Sequence, residues 1–149
     1  MDTARQSTTR RTGETTPRPL TRAALDLLER SEAELTAAAL SQDPADRYVH
    51  AHLAALRAGS ALVAVHGRPT GPRRTVLRSV WEMLPRIDDS LADRAAAFAA
   101  TAPLRSAVEA GRTQVVDAAD ADALLTDAED FHHEVESLLG LSRVQPLAG

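Results

Sequence analysis

The chain contains no cysteine, so it has neither a disulfide framework nor thiolate ligands for a metal. It also lacks lysine, and its 17 basic residues are all arginine. Aromatic residues make up only 3% of the chain, which excludes a basic surface interleaved with stacking rings. No apolar run is long enough for a membrane span, and the N-terminus has no hydrophobic segment like that of a signal peptide. We therefore expect a cytoplasmic protein without membrane contact.

Charge is distributed unevenly along these 149 residues, whose net charge is −4. Residues 79–149 are strongly acidic, whereas residues 66–78 carry four arginines and no acid: Arg68, Arg73, Arg74 and Arg78. An acidic body of this kind repels nucleic acid over most of its surface, but the basic segment is a candidate phosphate contact. The alternative is that these arginines cap the end of the preceding helix or meet the acidic last helix.

The chain divides into three parts. Residues 1–19 are rich in Thr, Arg and Pro and predict a disordered basic tail. Residues 20–140 have helical periodicity throughout, with no convincing alternation of period two, and predict one all-α bundle of about five helices. Residues 141–149 are expected to form a flexible C-terminal tail.

Helix boundaries can be read from capping residues. Thr21 is a plausible N-cap for a first helix that ends near Leu40. A second helix begins at Asp43-Pro44, with proline at the first helical position, and ends near His66-Gly67. A short helix is expected over Ser79–Leu84. A fourth helix follows Asp88 or Asp89, with a break or kink at Pro103, and the last helix runs from Asp117 to Gly140.

Apolar spacing predicts the buried faces. In the first helix the predicted stripe is Leu25, Leu28, Leu35 and Ala39, flanked by Ala24 and Ala38. The second helix has a main stripe at Val49, Leu53, Leu56, Ser60 and Val63. A flanking stripe follows Tyr48, His52, Ala55, Gly59 and Leu62. Two adjacent stripes predict a wide buried face, so we expect this helix to be central.

The segment Asp43–Arg57, with an aromatic beside an arginine and then Ala-His in a helix of small residues, resembles the HEPN family of helical domains. The segment Arg78–Leu84 is also similar, and the likeness covers roughly residues 21–140. It looks closest to a small HEPN-type family found in actinobacteria. The resemblance implies a HEPN-like bundle, and many HEPN proteins are ribonucleases or partners of nucleotidyltransferases.

Arg47 and His52 match the R-x4–6-H pattern of HEPN ribonucleases. The resemblance implies that the two groups meet across a dimer interface and cleave RNA without a metal or other cofactor. A histidine can transfer the proton of the 2′-hydroxyl, and an arginine can stabilise charge on the phosphate. On one helix the two residues point about 140° apart and lie about 7.5 Å apart along the axis. Catalysis therefore requires a second subunit or a long reach by the arginine.

Structural explanations compete with this interpretation. The first explanation for His52 is a packed position between helices, with its ring bonded to a carbonyl or a carboxylate. Arg47 could pair with Asp43 or Asp46. His50 is an alternative proton carrier or a solvated surface residue. His132 and His133 have i,i+4 glutamates, as a metal site would, but packing explains His132 as well.

Two hypotheses about function follow. The first is a dimeric nucleotide- or RNA-associated, or regulatory, interaction module that binds a partner protein. The second is a metal-independent endoribonuclease that uses Arg47 and His52 across a dimer interface. The exposure of His52 and the partners of its ring nitrogens distinguish the two.

Overall fold

The computed structural model describes residues 19–67 and 79–141, and these form an all-α bundle. The five α-helices are α1 (Arg22–Leu40), α2 (Pro44–His66), α3 (Val80–Ile87), α4 (Ala92–Glu109) and α5 (Ala118–Leu138). Short 3-10 turns at Asp89–Leu91 and Thr113–Val115 precede α4 and α5. The predicted all-α bundle of about five helices is confirmed. Apart from residues 19 and 141, the predicted tails lie outside the described residues.

Helix starts follow local chemistry. The Thr21 hydroxyl accepts a hydrogen bond from the Ala24 amide at 3.0 Å, and Ser79 caps α3 in the same way. Asp117 and Asp120 form a reciprocal capping box at the start of α5. Asp43 occupies the N-cap of α2, but its side chain makes no capping hydrogen bond. The predicted starts of these four helices are confirmed.

The helix directions follow from contacts between pairs of helices. Ser31 on α1 bonds the carbonyl of Ala54 on α2, and Glu34 pairs with His50, so α1 and α2 run antiparallel. Arg94 on α4 pairs with Glu134 on α5, next to a cleft lined by Thr101 and Leu124, which makes α4 and α5 antiparallel too. α2 contacts all four other helices, as expected for a central helix.

The buried faces differ from the predicted ones. Leu25 is 42% exposed and Ala39 is exposed, whereas the first helix buries Ala24, Leu28, Ser31 and Ala38. On α2 the predicted flanking stripe is buried, and the predicted main stripe is only half-buried. Close approach explains the correction: the side of α2 that faces α1 is made of small residues, Ala51, Ala54, Ala58 and Ala61, all fully buried. Small side chains let the two backbones approach, and the larger side chains are displaced to the flanks.

Two helices continue through a proline. α3 extends through Pro85 to Ile87, beyond the end expected at Leu84. A break or a kink was predicted at Pro103, and the break is wrong, because α4 is one helix from Ala92 to Glu109. In each case the proline removes one intrahelical hydrogen bond, and tertiary packing outweighs that local cost.

An aromatic cluster joins α3, α4 and α5 on the side where they contact His52 of α2. The rings of Trp81 and Phe98 stack with centroids 5.2 Å apart, and Phe131 lies 5.3 Å from Phe98. The chain has only four Phe, Tyr and Trp residues, and three of them form this cluster. None of the helices described is long and apolar enough to cross a membrane.

Candidate functional site

Arg47 joins three helices through its guanidinium group. Its Nη2 donates to the carbonyl of Ser41 at 2.5 Å and its Nε to the carbonyl of Ala38 at 3.3 Å, both at the end of α1. Its Nη1 pairs with Asp122 of α5 at 2.5 Å, although that carboxylate is well exposed. The partner of Arg47 is therefore Asp122 and not Asp43 or Asp46. Arg47 supplies donors to terminal carbonyls that α1 cannot satisfy internally.

His52 lies on the opposite side of α2 and is only 1% exposed. Its ring meets the edge of Trp81, with centroids 6.0 Å apart. Burial lowers the pKa of His52 from 6.5 to about 4, and the charge of Arg105 acts in the same direction. The carbonyl of Phe98 opposes both effects, but neither ring nitrogen meets the distance and angle limits of a hydrogen bond. The imidazole is therefore neutral at physiological pH.

The structure does not bring Arg47 and His52 together within one chain. Arg47 faces the end of α1 and Asp122, whereas His52 faces Trp81 and Arg105. This separation follows from their 140° difference around the helix. His52 is buried, as the structural explanation predicted, but its nitrogens lack the partners that this explanation also required. The catalytic assignment of the pair stays a prediction.

The other histidines make contacts that do not involve this pair. His50 Nδ1 lies 2.6 Å from Glu34 at the α1–α2 contact. His132 is buried, with Nδ1 2.8 Å from the Ser31 hydroxyl and Nε2 3.4 Å from Glu136. Because the Ser31 hydroxyl donates to Ala54, it accepts from His132. Within residues 19–67 and 79–141, no three His, Asp or Glu side chains are grouped as metal ligands would be.

Tyr48, next to Arg47 in sequence, is buried beside α4 and α5. Burial raises the pKa of Tyr48, the carboxylate of Asp120 adds to this, and the Thr101 hydroxyl opposes it. Tyr48 therefore stays protonated as a packing residue. The predicted phosphate contacts Arg68, Arg73, Arg74 and Arg78 lie outside the described residues, and their role stays a prediction.

Sequence reasoning missed three polar residues: Asp122 and Arg105, which interact with Arg47 and His52, and Ser31, which contacts Ala54 of the same helix. Asp122 and Arg105 are far from Arg47 and His52 in sequence, and no local pattern links them. Ser31 did carry a signal, since it continues the spacing of Ala24 and Leu28 on the buried face of α1.

One side of α2 is partly exposed and mostly apolar. We call the half-buried residues Val49, Leu53, Leu56, Ser60 and Val63 the open stripe. They lie on the side of α2 that points away from its buried residues Tyr48, Ala51, Ala55 and Leu62. A partly exposed apolar stripe on the central helix is a candidate interaction surface.

The all-α bundle around a central helix, together with the Asp43–Arg57 segment on that helix, is the arrangement expected of a HEPN domain. The chain belongs to the HEPN_SAV_6107-like HEPN family, which it matches over residues 37–136. The match covers α2 to most of α5 and confirms the resemblance expected from the sequence. No curated protein and no solved structure gives a significant match to the chain.

Proposed function

We propose that this HEPN protein is a dimeric regulatory interaction module that associates through the open stripe of α2. The observation that carries the proposal is the position of that stripe on the central helix, where five residues of helical spacing remain half-buried. Burial of apolar side chains favours association, and this gain has to exceed the loss of translational, rotational and side-chain freedom. The R-x4-H residues have other roles in the same chain: Arg47 bonds α1 and α5, and His52 packs under Trp81.

Sedimentation equilibrium of the purified protein tests this proposal. We expect the wild type to be a dimer and Leu53→Asp to be a folded monomer, because the variant places a carboxylate in the contact. Leu104→Asp is the matched control: Leu104 is 37% exposed on α4 and is not part of the stripe. A wild-type protein that stays monomeric at high micromolar concentration would contradict the proposal, as would a Leu53→Asp dimer as stable as the wild type.

Association with RNA or nucleotides is the further part of this proposal, supported by the density of arginines over residues 68–78. Fluorescence anisotropy with a labelled RNA oligonucleotide tests it. We expect the logarithm of the binding constant to fall with the logarithm of the salt concentration, less steeply after Arg73→Ala and Arg74→Ala. Binding that these substitutions leave unchanged would remove RNA from the proposal.

A metal-independent endoribonuclease is the second candidate function. One observation favours it: both ring nitrogens of the buried His52 lack a hydrogen-bond partner among the described residues, so neither is committed to a structural hydrogen bond. Pooled RNA incubated with the purified protein in EDTA provides the test. Cleavage that disappears in both His52→Ala and Arg47→Ala would favour the enzyme. Cleavage unaffected by His52→Ala would exclude this histidine as its catalyst.

A further inference from the structure

Two charged residues lie along one edge of the open stripe. Asp46 is exposed in the first turn of α2, and Arg57 is half-buried near its middle. Within the part of the chain that the structure describes, neither side chain forms an ion pair or a hydrogen bond. The Nε atom of Arg57 is also buried without an acceptor. A carboxylate at the exposed part of this guanidinium would compensate its charge.

The spacing of these two residues fits a second copy of the same helix. Asp46 and Arg57 are eleven residues apart, which is about 16.5 Å along α2 and only about 20° around it. When a two-fold axis relates two antiparallel helices, the same edge of each helix faces the other. A two-fold axis that passes between the two helices at the level of residues 51 and 52 therefore places Arg57 of each copy opposite Asp46 of the other. Symmetry makes two such pairs at once.

Charge also disfavours the obvious alternative alignment. Leu56 is the middle residue of the open stripe. A two-fold axis at the level of Leu56 along α2 would place the two copies of Arg57 side by side. Two guanidinium groups at close range repel each other and would lose water without gaining an acceptor. With the axis between residues 51 and 52, Val49, Leu53 and Leu56 of the two copies still pack against each other.

We propose that the open stripe binds a second copy of this chain in an antiparallel arrangement, with its alignment fixed by reciprocal Arg57–Asp46 pairs. This inference rests on the proposed dimeric function and names its partner and geometry. It also separates dimer formation from the R-x4-H motif. Arg47 and His52 point about 120° and 100° away from Leu53 around α2, so in this dimer they remain inside their own chains.

Charge reversal at the two positions tests the alignment. We expect Arg57→Glu alone and Asp46→Arg alone to raise the dissociation constant of the dimer at least about tenfold, because each replaces two attractions by two repulsions. An equimolar mixture of the two variants can form a heterodimer in which both pairs are oppositely charged again. We therefore expect the mixture to associate within about threefold of the wild-type constant. Sedimentation equilibrium measures all four samples.

Arg112→Glu is the matched control, since Arg112 is exposed beyond α4 and the substitution makes the same charge change. We expect it to leave the dissociation constant unchanged. Thermal melts followed by circular dichroism establish that each variant is folded.

The outcomes separate this inference from the function on which it rests. A dimer that Leu53→Asp disrupts but Arg57→Glu does not would overturn the alignment and leave the proposed function standing. Two weakened variants that fail to restore association when mixed would overturn it as well. A monomeric wild type would overturn both.

Discussion

His52 shows how one buried residue can couple folding to pH. The ring is enclosed beside Trp81 without a good hydrogen-bond partner, so its protonated form is disfavoured in the folded state. The lowered pKa means that the unfolded chain binds a proton at a higher pH than the folded chain does. The stability associated with the neutral ring is therefore fully present above about pH 6.5 and is lost as the pH falls towards 4.

Replacement of His52 by leucine should flatten this dependence. Between its ordinary pKa of 6.5 and its folded value of about 4, His52 accounts for a loss of up to about 3 kcal/mol in the free energy of unfolding. Urea denaturation of wild type and His52→Leu from pH 8 to pH 4 measures the difference. His50→Gln serves as control, because that histidine is partly exposed and paired with Glu34. A parallel decline of wild type and His52→Leu would contradict the prediction.

The contact between α2 and α3 depends on a glycine. A Cβ atom added at Gly59 would lie 2.8 Å from Cγ1 of Val80, closer than two carbon atoms pack, and 3.3 Å from Cδ1 of Leu84. Val80 is β-branched and cannot easily turn its methyl groups away. The absent side chain therefore allows α3 to approach the central helix, and through Trp81 it brings the aromatic cluster against His52.

A double-mutant cycle should expose this constraint. Alanine gains about 1 kcal/mol of helix propensity over glycine, while the overpacked contact costs about 1–3 kcal/mol. We expect Gly59→Ala to destabilise the wild type by about 1 kcal/mol, and to stabilise the Val80→Ala variant by a similar amount. Chemical denaturation of the four proteins gives the coupling. Equal effects of Gly59→Ala in both backgrounds would show that Val80 is not the obstacle.

At the scale of the whole molecule, the described part of the bundle leaves one side of its central helix partly exposed. α1, α5 and the α3–α4 pair surround α2 on three sides, and the open stripe occupies the fourth. Where a second copy covers this side, association and folding are linked by mass action.

The melting temperature should therefore rise with protein concentration. For a dimer that unfolds to monomers, a hundredfold increase in concentration adds about 2.7 kcal/mol of apparent stability per mole of dimer. Scanning calorimetry between low and high micromolar concentration measures the shift. Leu53→Asp should melt at one temperature throughout, and Leu104→Asp should behave like the wild type. A wild-type melting temperature that does not change with concentration would argue against linked dimerisation.

Helix starts can be read from the sequence alone, because caps such as Thr21, Ser79 and the Asp117–Asp120 box act within one turn of the chain. The sequence also determined the all-α class, and the Asp43–Arg57 segment pointed to the HEPN family. These features depend on neighbours in sequence, so they can be read without knowledge of the fold.

Only the tertiary structure decided which stripe of α2 is buried and what Arg47 and His52 contact. Both stripes of α2 have helical spacing, and the choice between them depends on how closely the alanines allow α1 to approach. Likewise, Asp122 and Arg105 reach Arg47 and His52 from distant parts of the chain. Spacing along one helix specifies the direction in which a side chain points, but the neighbour that it meets there is set by the packing of the other helices.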